Sequence, residues 1–375
     1  MHTLVVGTWA WGDKNIWGWN KELDVKAKEA FDMSLSKGIN TFDTAEIYGF
    51  GESERCIARY KANQPVASTK NIIIATKFLP LPYKLSYPSS LINALRAIVG
   101  NALAETVKLG LTKTVGVSNY STTQTIKMYD CLQKHNIQLA SNQVEFSLLR
   151  RSPETSGLIT ECHKRGIAVL GYSPLAMGRL TGKYSQANSL PANRNLSKIN
   201  MDELEPLLES MRCIADKRNV SVSSVALNYV ICKGVIPLGG ARNGKQAEQN
   251  AGALGWRLTN EEIARLENGE IDKQVKRKSL LYNDIVATKN QDQQENIAIL
   301  DKHCHLADSK FIERCDLKDI SSGRNCSPPE QCLLISSSYN SIKKHSLKAV
   351  LEPKEDANQF LHTFSRRKRV FYLLS

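Results

Sequence analysis

With 375 residues, 42% of them hydrophobic, the chain is long enough for one large α/β barrel and an extension. No run of 18 apolar residues occurs, which excludes a transmembrane helix, and the nine cysteines lack the CxxC spacing of a zinc module or a disulfide framework. The net charge of +13 is uneven: residues 273–375 hold 18 Lys+Arg against 12 Asp+Glu, yet no basic stripe with interleaved aromatics marks a nucleic-acid surface.

Thr3 to Thr8 reads as a first strand, and Met1 to Val6 has neither the charged start nor the apolar core of a signal peptide. Trp9, Trp11, Trp17 and Trp19 follow in a Gly/Asn-rich loop, which suits the wall of an apolar substrate pocket. Lys26 to Ser36 carries apolar residues at helical spacing and stops at Gly38. Thr41-Phe42-Asp43-Thr44-Ala45-Glu46-Ile47-Tyr48-Gly49 begins as a strand and turns over into a helix at Glu52. Ile72 to Lys77 is the next strand. A helical pattern runs from Ser86 to Val107, and Val115 to Tyr120 is a strand with a polar end. Gln124 to His135 is helical, Ala140 to Glu145 a strand, Pro153 to Lys164 helical, and Ile167 to Pro174 a strand. Leu175 to Asn200 lacks periodicity and reads as a long loop. Helices at 202–218 and 222–232, a strand at Val235 to Leu238, and helices at 246–254 and 261–267 complete the pattern. Seven strands before residue 240 alternate with helices, which means a parallel sheet.

Two consecutive strands thus deliver Asp43, Tyr48 and Lys77 at their C-terminal ends, the end where a parallel barrel does its chemistry. A free tyrosine ionises near pH 10. A neighbouring ammonium is expected to lower that value, and a carboxylate to keep the ammonium charged and oriented. The trio is a general acid–base device for a carbonyl/alcohol pair.

These residues resemble the aldo-keto reductases, NADPH-dependent (β/α)8 TIM barrels, in their plant-plastid and cyanobacterial branch. The likeness rests on Gly7-Thr8-Trp9-Ala10-Trp11-Gly12-Asp13, Phe42 to Gly49, Val115 to Tyr120 and Gly171-Tyr172-Ser173-Pro174-Leu175, and it covers about residues 3–271. The resemblance implies a barrel domain over 1–272 that reduces an aldehyde or ketone to an alcohol. It makes Tyr48 the proton donor, Lys77 the group that lowers its pKa and Asp43 the partner of Lys77. It assigns NADPH to Thr8, Trp9, Ser118, Asn119, Gln143, Tyr172, Ser173, Pro174, Leu175, Gly178, Lys183, Gly240, Ala241, Arg242, Gln246 and Asn250, with Tyr172 stacked on the nicotinamide. The residues themselves agree at one end: backbone amides at a helix start favour phosphate, and Arg242 adds a bidentate donor. A monomer with a small carbonyl substrate and no metal is expected. So is a cytosolic location for the chain as written, or a chloroplast location if a transit peptide precedes it.

Two departures stand out. The family's fourth strand carries a catalytic histidine, but only 37 residues separate Lys77 from Val115. Two helices, a strand and their loops need about 50–60. None of the histidines, at 2, 135, 163, 303, 305, 345 and 362, is in the right place. The chain therefore reads as a truncated isoform with strand four deleted near Val99-Gly100-Asn101, from which weak cofactor binding and low turnover are expected. Secondly, the tail from about residue 273 lacks a hydrophobic period and reads as disordered or non-native. Its run Arg366-Arg367-Lys368-Arg369 reads as a solvated end, with a targeting patch as the lesser alternative.

Gly239 to Gln246 has the spacing of a phosphate-binding loop. Gln246, however, stands where that loop needs Ser or Thr for Mg²⁺. The alternative of another class is a catalytically silent reductase-like protein that binds NADPH or a partner.

Overall fold

The computed structural model describes residues 4–78, 89–185, 187–191, 199, 201–268 and 369–374. All of these fall in one compact unit. Residues 269–368 lie outside the described set, so the expectation for residues 273–368 is not addressed.

Seven strands follow the chain as expected: β1 (Val5–Gly7), β2 (Thr41–Asp43), β3 (Ile73–Phe78), β4 (Thr114–Ser118), β5 (Leu139–Glu145), β6 (Ala168–Tyr172) and β7 (Ile236–Gly240). The helices are α1 (Lys21–Ser36), α2 (Glu52–Ala62), α3 (Val66–Thr69), α4 (Ser89–Lys108), α5 (Thr122–Gln133), α6 (Ser152–Thr155), α7 (Leu158–Lys164), α8 (Met201–Arg218), α9 (Val222–Cys232), α10 (Gly244–Ala251) and α11 (Asn260–Asn268). The helix expected from Pro153 to Lys164 is broken between α6 and α7, because Gly157 takes φ +76°. The long loop after residue 175 opens with a 3₁₀ turn, Ala176–Thr181.

Local chemistry sets several boundaries. The Asn20 side chain caps α1 by accepting from Leu23 N at 2.9 Å. Ser121 and Gln124 form a capping box at the start of α5. Several helices pack directly on strands, among them α5 on β5, α7 on β6 and α9 on β7. Phe31, Phe42, Trp11 and Tyr60 form one outer core, and Val115, Leu139, Val169 and Tyr229 belong to a second. Inside the barrel a small layer of Val5, Ala75, Leu170 and Leu238 fills the axis.

Every strand pairing is parallel, and β1 closes on β7. β3 and β4 do not pair with each other. Between them lies an eighth strand, β8 (Arg369–Leu374), from the C-terminal end of the chain. The described strands form a closed barrel in the order β1-β2-β3-β8-β4-β5-β6-β7. The strand deletion read from the sequence is therefore present: α4 carries the chain from β3 past one strand position to β4. Irregularity to the end of the tail is corrected, because residues 369–374 form a strand. α4 is continuous across the expected join. Gly100 has a packing reason to be there, since a Cβ on it would stand 2.8 Å from Cys131 Sγ on α5.

Candidate active site

β2 and β3 place the acid and the lysine side by side. Asp43 pairs in register with Ala75, and its carboxylate meets the Lys77 ammonium in a salt bridge. Both side chains are only 2% exposed, so the pair is almost wholly withdrawn from water. Lys77 Nζ also donates to Thr44 O at 2.8 Å. The other Asp43 oxygen accepts from Gln143 Nε2 at 2.8 Å.

The end of β2 is itself pinned by buried hydroxyls. Thr8 Oγ1 donates to Asp43 O at 2.8 Å and lies 2.8 Å from Ser53 Oγ. Ser53 Oγ donates to Thr8 O at 3.0 Å and accepts from Thr44 Oγ1 at 2.9 Å. The start of α2, where Ser53 lies, therefore fixes the backbone that carries Asp43.

Tyr48 lies on the loop after β2, half-buried against the cavity. Its ring faces the Lys77 ammonium, which stands 5.1 Å from the centroid. Lys77 does not bring the Tyr48 pKa below the usual tyrosine value. Burial, reinforced by the Asp43 charge, holds the phenol well above that value. The physical reason is that the nearby cation is already matched by a buried carboxylate, so little net positive charge offsets the desolvation. The same desolvation pushes the Asp43 carboxyl up and the Lys77 amine down, while each partner's charge opposes the shift. At neutral pH Tyr48 is thus a protonated phenol, the form that can donate.

Above these residues opens a cavity of about 760 Å³ lined by residues from seven strands, β1 to β7. All three catalytic candidates line it. So do Thr8, Trp9, Ser118, Asn119, Gln143, Tyr172, Ser173, Pro174, Leu175, Gly178, Lys183, Gly240, Ala241, Arg242, Gln246 and Asn250. Every catalytic and cofactor candidate read from the sequence lines this one cavity. Several of them are already engaged with protein groups. Tyr172 OH donates to Asn119 Oδ1 at 3.1 Å, and Ser118 Oγ donates to Gln143 O at 3.0 Å. Gln246 Oε1 accepts from Arg242 N at 2.9 Å, and Asn250 Nδ2 donates to Gly240 O at 3.1 Å. The last two brace the turn between β7 and α10.

The tryptophan cluster divides. Trp9 and Trp17 line the cavity, with their ring centroids 5.9 Å apart. Trp11 is fully buried core, and its Nε1 donates to Ala241 O at 2.8 Å, tying the β1 loop to the β7 loop. Trp19 packs on the outer core. The expected pocket wall is thus made by two of the four.

Residues the sequence reading missed include Ile47, Tyr184, Ser221, Ser223, Lys245 and Gln249. Lys245 was legible, since it sits at the start of α10 beside Arg242. Ser221, which also caps α9, looks like an ordinary cap in sequence. No histidine is present among the described residues that line the cavity. His135 stands near Asn101 and Lys108 on the surface, and His163 near Gly234 O.

The cavity holds the Asp43–Lys77 pair and Tyr48. Its lining also includes the cations Lys183, Arg242 and Lys245, the last two at the start of α10, which Asn243 caps by accepting from Gln246 N at 2.9 Å. Helix starts and cations together favour phosphate. Arg242 is held 5.4 Å over the Trp17 ring. The donor set therefore fits an elongated dianionic or trianionic ligand with a planar polar head.

A parallel α/β barrel with an acid, a phenol and a lysine at its strand ends defines a class of carbonyl oxidoreductases. The profile of the Aldo/keto reductase family matches residues 3–97 and 93–270, and the chain belongs to that family. The two matched pieces change over at residues 93–97, inside α4 and just before Val99-Gly100-Asn101, where the deletion was read. The pyridoxal reductase, chloroplastic, of Arabidopsis thaliana is 36% identical over 296 residues, covering 70% of this chain and 81% of that protein. The L-glyceraldehyde 3-phosphate reductase of Escherichia coli O157:H7 is 28% identical over 290 residues, covering 64% and 81%. Among solved structures, the glycerol dehydrogenase of Gluconobacter oxydans superposes with a TM-score of 0.58 at 25% identity, covering 71% of this chain and 90% of that one. An aldo/keto reductase from Klebsiella pneumoniae in complex with NADP and acetate superposes at 0.52 with 21% identity and equal coverage, a likeness of fold. The chain is an oxidoreductase of carbonyl compounds. No described helix is long and apolar enough to cross a membrane.

Proposed function

We propose that the barrel formed by residues 1–272 together with β8 reduces an aldehyde or ketone to an alcohol with NADPH, and that Tyr48 supplies the proton. The observation that carries this reading is the buried Asp43–Lys77 pair lying against the Tyr48 ring at the floor of the cavity. When bound, the reduced nicotinamide supplies the hydride. The chain's own residues do the rest. Tyr48 holds its proton at neutral pH and gives it to the carbonyl oxygen as charge develops there, which is general acid catalysis. Lys77 then lies close enough to stabilise the phenolate that remains, and Asp43, fixed by Gln143 and Lys77, keeps that cation in place. Trp9 and Trp17 form an apolar wall that holds the substrate and excludes water. Ser118 and Asn119 offer polar atoms to the carboxamide, Tyr172 a ring to the nicotinamide, and Lys183, Arg242 and Lys245 charge to the phosphates.

Pyridoxal is the first substrate to test, supported by the names of relatives from Arabidopsis thaliana and Schizosaccharomyces pombe. A chloroplast location belongs to the same reading and rests on the Arabidopsis name alone. A second reading is favoured by one observation, the lack of a histidine among the described cavity residues: a barrel that binds NADPH but turns over little. Titration of NADPH by fluorescence, with turnover of pyridoxal and of a generic aldehyde, separates the two. Binding with turnover supports the reductase. Binding without turnover supports the silent form. No binding refutes both.

A further inference from the structure

Five residues of β8 pair with β3, from Ile74↔Arg369 to Phe78↔Leu373. Five pair with β4, from Thr114↔Val370 to Ser118↔Leu374. The strand therefore satisfies two edges at once. β3 and β4 are edges only because the strand that the family places between them is gone from this chain. The register is also informative. Tyr372 is the partner of both Lys77 and Gly116, so the centre of β8 runs beside the lysine of the active site.

We propose that the C-terminal strand is the working substitute for the deleted strand, and that the catalytic cavity is complete only when it is seated. Three observations converge. The family profile changes over inside α4, so the vacancy is one strand wide. The run Val370-Phe371-Tyr372-Leu373-Leu374 is apolar and β-prone, which suits a strand buried on both faces. The Asp43–Lys77 pair needs a dry setting, with each side chain 2% exposed, and Lys77 stands on the strand that β8 covers. An open β3 edge would admit water to that pair and leave a template for aggregation. The occupant is this chain's own segment, seated by the strand addition that other proteins use for peptides in trans.

This rests on the reductase reading only for its effect on turnover, so its test uses readouts that need none. In the full chain, backbone hydrogen exchange measured by mass spectrometry should show residues 370–374 protected at least about a hundred-fold over an unstructured peptide, as paired core strands are. Tyr372→Pro removes an N–H from the middle of a strand paired on both sides. It should abolish that protection and speed exchange in 74–78 and 114–118 by about ten-fold or more. A second variant deletes residues 366–375. A synthetic peptide of those ten residues, kept soluble by its four basic side chains, should then restore protection in 74–78 and 114–118 in a saturable manner. If residues 370–374 exchange freely in the full chain, or if Tyr372→Pro leaves 74–78 and 114–118 unchanged, the substitution is refuted whatever the enzyme does. If exchange behaves as stated and no aldehyde is reduced, the strand assignment stands and the proposed function fails.

Discussion

Breaking the Asp43–Lys77 pair from either side should destabilise the barrel with opposite dependence on pH. In Asp43→Asn the Lys77 amine keeps its hydrogen bond to Thr44 O but loses its countercharge, at a site 2% exposed. Removing one partner of a buried pair costs about 3–5 kcal/mol, because the other charge is left uncompensated. For a chain of this size that is a fall in melting temperature of about 6–20 °C. Burial already lowers the Lys77 pKa, and without Asp43 it falls further. The amine then binds fewer protons folded than unfolded below about pH 10. The Asp43→Asn deficit must therefore shrink as pH rises.

Lys77→Met leaves Asp43 with Gln143 as its remaining donor. Burial already raises the Asp43 pKa, and losing the ammonium raises it more. The neutral acid is then the stable buried form. Its contribution is complete below the ordinary aspartate value near 3.8 and is lost as pH rises through the folded value. The Lys77→Met deficit must therefore grow between about pH 5 and 8. The double variant Asp43→Asn/Lys77→Met leaves no buried charge and should lie within about 2 kcal/mol of the parent chain. Thermal and urea unfolding of all four proteins at pH 5, 7 and 9 gives the comparison. Equal slopes with pH, or single-variant costs below about 1 kcal/mol, would mean the pair is wetter than its exposure indicates, and the reasoning fails.

Tyr48→Phe keeps the ring against Lys77 and removes the proton, so turnover should fall by about 10² to 10⁴ with NADPH binding unchanged; unchanged turnover in steady-state assays rules out the donor role. Arg242→Ala should weaken NADPH binding and leave NADH nearly unchanged, read by fluorescence titration, and equal losses count against a 2′-phosphate site there. Gly49→Ala places a Cβ 2.4 Å from the Gly12 carbonyl oxygen at a φ of +57°. The loop must move, so turnover should drop together with a stability loss of about 1–3 kcal/mol by urea unfolding. Burial tends to raise the Glu267 carboxyl, but hydrogen bonds from Lys233 and Tyr229 and the charge of Arg151 hold it below its usual 4.5. The stability this adds is present above that value and lost as pH falls below it, so Glu267→Gln should flatten the acid limb of a melting-temperature profile between pH 5 and 3.

Most of the site was legible because it is written locally. Asp43, Tyr48 and Lys77 lie at or just after the ends of two consecutive strands, and a parallel barrel puts consecutive strand ends together by topology alone. The same holds for Ser118, Gln143, Tyr172 and Arg242 on later strands. What could not be read was electrostatic balance. Whether an ammonium lowers a phenol's pKa depends on the burial of both and on the carboxylate that matches it, and burial is a property of the closed barrel. The division of the tryptophans was hidden for a related reason. Trp9 and Trp11 are two residues apart, so only the turn of the loop decides which faces the cavity and which the core.

The missing strand and its replacement show where such reading stops. The loss was legible by length, since the chain between Lys77 and Val115 is too short for what a barrel needs there. The replacement was not, because β8 pairs with partners far away in sequence, and no local pattern names a remote parallel neighbour. A continuous apolar run of five residues is also ambiguous between strand and helix. Its context offered the better clue. Val370 to Leu374 follows a long polar tail and four basic residues, where a solvated end has no use for five consecutive apolar side chains. A barrel that lacks a strand presents two parallel edges, and such edges bind any suitable segment held nearby by the same chain. The vacancy and the run are each unremarkable alone. Together they specify one another, because the gap requires a parallel, doubly buried strand and the tail supplies a single run of that kind at its end.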